Sequence, residues 1–204
     1  MFLLRPPLAS LGRVEVSLGS VAQQDRHRRI LDATISLASE GGFDAVQMRA
    51  VAERADVALG TLYRYFPSKI HLLVSALARE FERSQEELAG TTIPGETPHA
   101  RVMHVLGRTT TYLKQDPHLT EALTRAFMFA DASVSTEIHQ VGRMLTATLT
   151  DAMHPGVEPG EEDVAIAKVI GDVWLAALVG WVTGRTSAGD VEKSLDVAVR
   201  LLLR

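Results

Sequence analysis

The stretch that decides the fold is QMRAVAERADVALGTLYRYFPSK, residues 47–69. Its apolar residues recur at helical spacing in two short segments, residues 47–55 and 59–65, with a tight turn between them. The second segment is too short to be a stable helix in isolation, so it must pack against its neighbours. The pattern predicts a helix-turn-helix, a motif that places its second helix in the major groove of duplex DNA.

The surface of this motif carries groups that suit a DNA interface. Gly60 has no side chain to hold the backbone away from a phosphate, and Ser68 can cap a new helix whose first turn carries a lysine. Hydroxyl, amide and basic side chains can donate hydrogen bonds to DNA backbone and bases. The candidate DNA contacts are Gln47, Arg49, Gly60, Thr61, Tyr63, Arg64, Tyr65 and Lys69. On composition alone, an ordinary helical hairpin with surface tyrosines is the alternative.

The segment ADVALGTLYRYFPSK, residues 55–69, resembles the signature of the TetR family of one-component transcriptional regulators. The resemblance implies an all-α protein that has an N-terminal three-helix helix-turn-helix DNA-binding domain and a C-terminal helical ligand-binding and dimerisation domain. By matching residue, it implies the DNA contacts Gln47, Arg49, Thr61, Tyr63, Tyr65 and Lys69, and the core residues Val57, Leu62 and Phe66.

Two positions depart from the family pattern. Asp56 stands where the family usually has a turn glycine, and Ala58 stands where it often has a serine at the helix start. Aspartate is tolerated in the left-handed conformation, and loss of a cap costs about 0.5–2 kcal/mol. We therefore expect the motif to form, with an effect on fine operator preference.

Glycine and proline divide the rest of the chain into further predicted helices. A first helix should end at Gly41-Gly42, and a fourth, at residues 68–89, should link the two domains. Five more are predicted near residues 98–114, 117–130, 133–154, 161–185 and 189–203. The predicted domains are a disordered arm at 1–20, the DNA-binding domain at 21–67, and the linking helix with the ligand-binding and dimerisation domain at 68–204.

Composition limits the function classes. With 204 residues, of which 46% are hydrophobic, the chain can bury a full core, and the absence of cysteine suits a cytoplasmic protein. The net charge is −4, yet residues 1–71 hold nine basic and seven acidic side chains, while residues 72–204 hold twelve and eighteen. The basic excess therefore lies with the motif, and a strongly basic, histone-like binder is excluded.

No signal peptide or membrane span is predicted. The apolar start MFLL is interrupted by Arg5-Pro6-Pro7, and we expect no apolar span of 18 residues further on. Residues 1–20 are interpreted as a disordered arm, with a basic arm that touches DNA through Arg5 and Arg13 as the alternative.

Two C-terminal helices carry apolar faces. Residues 173–184 contain no charged side chain, and a helix that is apolar all round must be buried. Paired with the last helix, it could form a four-helix dimer interface through Val173, Ala177, Gly180, Leu195, Ala198 and Leu202. Burial within one monomer is the alternative.

Aromatic and methionine side chains in the same region suit a pocket for a large apolar ligand. The candidate lining is Met103, Leu106, Phe127, Phe129, Trp174, Leu178 and Trp181, although plain core is the alternative for each. Arg108, Arg125 and Arg143 could pair with an anionic ligand group, but solvated surface charge is favoured.

A narrower resemblance rests on residues 45–81, 119–133 and 169–202, which are similar to the repressors of cholesterol and steroid catabolism within the TetR family. It implies a homodimer that binds a pseudo-palindromic operator and is released by a steroid-derived coenzyme A thioester. A fatty-acyl coenzyme A is the nearest rival.

Other classes are weaker. An enzyme would need paired metal ligands, but Glu96 to His99 and Asp151 to His154 lie at helix ends, so no metal, cofactor or catalytic residue is predicted. A helical adaptor that does not bind DNA is the third hypothesis.

Overall fold

The computed structural model describes residues 18–88 and 90–203, so most of the predicted arm at residues 1–20 lies outside it. Within these ranges the chain forms helices and one 3-10 turn, Ala132–Val134, and no strand, which confirms the all-α prediction. The helices are α1 (Leu18–Ala45), α2 (Met48–Arg54), α3 (Leu59–Tyr65), α4 (Lys69–Leu88), α5 (Pro98–Gln115), α6 (Pro117–Met128), α7 (Ser135–Met153), α8 (Glu161–Val182) and α9 (Ala188–Leu202).

Helix α1 is interrupted where its sequence predicts an end. Gly41 and Gly42 have non-helical backbone angles, and Gly42 is left-handed with φ of 66°. The chain resumes a short helical stretch only to Ala45. Residues 43–47 therefore form a connection between the body of α1 and the start of α2, and glycine makes that break possible.

The turn of the helix-turn-helix departs from the usual glycine as the sequence indicated. Asp56 has φ of 52°, the left-handed conformation. Arg29 of α1 braces the turn, because its guanidinium donates to the carbonyl oxygens of Ala55 at 2.6 Å and Asp56 at 3.3 Å. Ala58, the residue before α3, provides no side-chain cap. A brace from α1 thus accompanies a turn that lacks both family residues.

Two apolar cores hold the helices together. The boundary between the cores does not fall at residue 67, the predicted end of the DNA-binding domain, because the first core continues into α4. The first joins α1 to α4 with α6 and includes the buried Leu62, Phe66 and Ala126. The second joins α5, α7, α8 and α9, with Phe81 of α4 packed against it. Helix α4 contributes to both cores and α6 packs on α1, so two helices connect the DNA-binding motif to the C-terminal helices.

Helix α8 corrects one expectation from the sequence. Within residues 18–88 and 90–203, it alone is long and apolar enough to cross a membrane, by length and composition only. A core helix passes the same test, and α8 packs on α6, α7 and α9. Because 28% of its most apolar window is buried inside the chain, much apolar surface remains for another contact.

The strained turn gives a stability prediction. Substitution Asp56→Gly should raise Tm by about 1–3 °C, because glycine removes the steric cost of the left-handed conformation, which is about 1 kcal/mol for an L residue. Asp56→Ala should lower Tm, since alanine keeps the Cβ and loses the ion pair between the Asp56 carboxylate and Arg29, which lie 4.0 Å apart. Thermal unfolding followed by circular dichroism measures both. A rise in both variants would show that the carboxylate, and not the backbone, is the unfavourable feature.

Candidate DNA interface and effector cavity

Helix α3 presents polar residues outward because Leu62, and Phe66 directly after the helix, are anchored. Leu62 and Phe66 are buried in the first core, so Tyr63 and Arg64 on the other face are exposed, with Tyr63 at 47%. Burial of two such side chains contributes about 1.5–3 kcal/mol each, which compensates for the short length of the helix. The structure thus gathers the sequence-predicted tyrosine and arginine on one accessible face.

The remaining predicted DNA contacts border that face. Gln47 precedes α2, and Arg49 lies exposed on it, 3.7 Å from the Glu53 carboxylate. A Cβ added at Gly60 would meet no atom of this chain within 4 Å, so the space above this backbone is open to a partner. Thr61 and Tyr65 are half-buried at the edge of α3.

Lys69 is held within the chain at the start of α4. The Ser68 hydroxyl accepts from the backbone N–H of His71 at 3.1 Å, which confirms the predicted cap. The Lys69 ammonium lies 3.8 Å from the centroid of the Phe43 ring, and burial lowers the pKa of Lys69 while Asp44 opposes that shift. This contact holds the Lys69 ammonium beside the connection between α1 and α2, which the sequence did not reveal.

His27 supports this surface from behind and was missed as a structural residue. Its ring lies 5.1 Å from the Phe66 ring and 6.2 Å from the Tyr65 ring, centroid to centroid. Burial lowers the pKa of His27, and the nearby Arg79 lowers it further. In the sequence, His27 belongs to a basic run, RHRR, which gives no sign that one member faces inward.

An apolar cavity of about 930 Å³ lies between α4, α5, α6, α7 and α8. Five of the seven predicted pocket residues line it: Met103, Leu106, Phe127, Trp174 and Leu178. Phe129 does not, because α6 ends before it and leaves its ring 62% exposed. Trp181 packs against the second core and is absent from the cavity wall, so both assignments are corrected.

Sequence reasoning also missed a wall of the cavity. Leu77 and Phe81 of α4 and Leu145 of α7 line it. Gln85 is anchored beside them, because its side-chain amide donates to the Met144 carbonyl at 3.0 Å and to the Thr148 hydroxyl at 3.2 Å. Leu77, Phe81 and Gln85 are spaced four residues apart, so they share one face of α4, and this spacing was a usable signal in the sequence.

The three arginines considered for an anionic ligand group separate in space. Arg108 lies exposed at the cavity wall. Arg125 faces the DNA-binding motif, 3.7 Å from the Asp44 carboxylate. Arg143 is exposed and does not line the cavity. Among the described residues, no cluster of three or more histidine or acidic side chains could hold a metal ion.

The predicted dimer stripe needs correction. Leu195 is buried in the second core, and a Cβ at Gly180 would lie 2.8 Å from the Thr186 hydroxyl of the same chain. The small residues of α8 thus permit close packing within the chain. Val173, Ala177, Ala198 and Leu202 are half-buried beside them. The exposed apolar residues of α8 and α9 include Val169, Ala176, Val197 and Leu201.

Helix α3 lies on the surface of a helix-turn-helix, and two helices join that motif to a bundle that holds a cavity. This is the architecture of a DNA-binding transcriptional regulator. Residues 30–76 match the model of the bacterial regulatory proteins of the tetR family, and residues 95–202 match that of the tetracyclin repressor-like C-terminal domain. The chain belongs to the TetR family.

Particular members of the family are similar to this chain over most of its length. The HTH-type transcriptional repressor KstR of Mycolicibacterium smegmatis is 56% identical over 189 residues, which cover 93% of this chain and 92% of KstR. A TetR transcriptional regulator from Rhodococcus sp. RHA1 superposes with a TM-score of 0.80 at 36% identity, over 89% of this chain and 96% of that one. Thermus thermophilus FadR in complex with lauroyl-CoA shares the fold, with a TM-score of 0.65 at 19% identity, over 87% and 93%.

Proposed function

We propose that this chain is a ligand-responsive transcriptional repressor that binds a pseudo-palindromic operator as a homodimer in the cytoplasm. The proposal is carried by one observation above others: the chain has both an exposed α3 face of hydrogen-bonding side chains and an apolar cavity of about 930 Å³. The identity with the repressor KstR over 93% of the chain supports repression as the output.

The effector in this proposal is a steroid-derived coenzyme A thioester, and the regulated genes are those of cholesterol or steroid catabolism. Pockets of about 300–1,000 Å³ bury ligands with a compact apolar body, so the cavity suits a steroid nucleus. The polar nucleotide of the thioester would remain at the rim, where Arg83, Arg108 and Lys168 are exposed.

A regulator that responds to a fatty-acyl coenzyme A is the second candidate. Its basis is the fold that this chain shares with Thermus thermophilus FadR, a repressor solved in complex with lauroyl-CoA. The two candidates differ in the shape of the apolar group, since a rigid four-ring body and a flexible chain fill one cavity differently.

Dimerisation through α8 and α9 would place two α3 helices on one operator. Val169 is 46% exposed and Leu201 is 54% exposed, and the apolar surface around them needs a partner to leave water. A two-fold axis through this face would pair α8 and α9 with their copies. Successive major grooves require the recognition helices to lie about 34–36 Å apart.

The DNA assignment predicts selective losses in two variants. Tyr63→Ala should weaken operator binding about tenfold through a lost contact on the exposed face of α3. Lys69→Ala should weaken binding to specific and unrelated duplexes alike, because Lys69 is predicted to contact a phosphate. It should also reduce the slope of log affinity against log salt concentration by about one. Fluorescence anisotropy with DNA from upstream of the gene, at several salt concentrations, measures both.

Tyr112→Ala is the matched control, because Tyr112 is 51% exposed yet lies on α5, where its hydroxyl meets Glu80. It should bind operator like the unmodified protein in the absence of effector. Unchanged operator affinity in both Tyr63→Ala and Lys69→Ala would favour the adaptor hypothesis.

Two neighbouring phenylalanines test the cavity as the effector site. Phe127→Ala should weaken binding of a steroid acid coenzyme A thioester about tenfold, since an aromatic wall is lost, while Phe129→Ala should not change it. Isothermal titration calorimetry with that thioester and with stearoyl-CoA gives both affinities and ranks the two effector classes. Equal losses in the two variants would place the ligand elsewhere.

A further inference from the structure

Helix α6 lies between the cavity and the N-terminal helices, and each of its two faces contacts one of them. Leu119, Leu123 and Phe127 line the cavity. The opposite face meets the DNA-binding motif in consecutive turns. His118 Nδ1 lies 3.3 Å from the Ser39 carbonyl oxygen, Glu121 follows one turn later, and Arg125 reaches Asp44. Only the width of helix α6 therefore separates the cavity from the N-terminal residues that lead into the motif.

The central contact on that face is a hydrogen bond across 78 positions of sequence. The Phe43 backbone N–H donates to Glu121 Oε2 at 2.8 Å, and Arg125 holds the Glu121 carboxylate from the same helix at 3.4 Å. A Cβ at Gly42 would come within 2.8 Å of the same carboxylate oxygen. The left-handed glycine thus lets the carboxylate approach the backbone of the α1–α2 connection.

Phe43 is linked to both ends of the predicted DNA surface, by the chain to Gln47 and by its ring to Lys69. It lies in the short connection that leads to Gln47 at the start of α2. Its ring carries the Lys69 ammonium at 3.8 Å, with the Arg125 guanidinium 4.5 Å from the ring centroid. Moving Phe43 would therefore displace the start of α2 and the Lys69 ammonium together.

We infer that Glu121 is a positioning residue that transmits effector binding in the cavity to the DNA-binding motif, by holding the Phe43 N–H from the back of the cavity wall. This route runs through α6 and is separate from the covalent link through α4. An effector that displaces α6 pulls or releases the α1–α2 connection, and both operator half-sites are affected in a dimer. The inference rests on the proposed effector response.

The test measures coupling rather than affinity alone. In the full chain, Glu121→Ala should reduce the factor by which a steroid acid coenzyme A thioester weakens operator binding by about fivefold. Glu121→Gln should retain most of that factor, because its amide oxygen can still accept from Phe43 N–H. Amide hydrogen exchange supplies the second readout, and exchange at Phe43 should be about tenfold faster in Glu121→Ala.

Asp196→Ala is the matched control. It removes another interhelical contact, the 3.1 Å pair between Asp196 of α9 and His99 of α5, and both helices belong to the second core. It should leave both the coupling factor and the Phe43 exchange unchanged. Unchanged coupling in Glu121→Ala while the thioester still binds, or an equal loss in Asp196→Ala, would overturn the inference.

Failure of the proposed effector is recognised separately, because thioester binding is measured by calorimetry on the same samples. If neither the steroid thioester nor stearoyl-CoA binds the unmodified chain, the effector proposal fails. The role of Glu121 is then judged on operator binding and exchange: Glu121→Ala must change operator affinity about threefold or more and accelerate Phe43 exchange. Absence of either effect would reject it.

Discussion

The burial of Leu62 and Phe66 is the interaction on which the DNA-binding motif depends. Helix α3 has seven residues, too few to persist in water without packing, so these two side chains fix both its existence and its orientation. That anchoring places the predicted DNA contacts of α3, from Tyr63 to the open backbone at Gly60. His27 and Arg29 of α1 complete it, one against Phe66 and the other against the turn carbonyls.

A second constraint is that the two apolar cores share helices. Because α4 enters both cores and α6 packs on α1, the same helices that hold the motif also form walls of the cavity. This gives a physical basis for coupling between an effector and an operator. A ligand acts on the equilibrium only through interactions that differ between two arrangements, and α6 has contacts on both of its faces that can differ.

The helices were largely predictable from sequence, while several contacts were not. Glycine and proline mark the helix ends, and α3 has the predicted bounds of residues 59–65. The sequence analysis assigned the wrong face of α8 to the dimer interface, because small residues permit close packing against either a partner or the same chain. In the structure, Thr186 of the same chain fills the space beside Gly180. Phe129 was wrongly assigned to the cavity wall because α6 ends at Met128, one residue before it. The bond between Phe43 and Glu121 has no local signature, because its partners are 78 residues apart.

If the DNA-binding surface and the cavity are coupled, effector and operator must weaken each other's binding equally, so both effects should be measured. Operator affinity is measured with and without a saturating steroid acid coenzyme A thioester, and thioester affinity is measured with and without operator DNA, at one salt concentration. Each ligand is expected to weaken the binding of the other by the same factor, about 5- to 150-fold. Specific operator binding that stays unchanged in saturating thioester, while the thioester is shown to be bound, would contradict it.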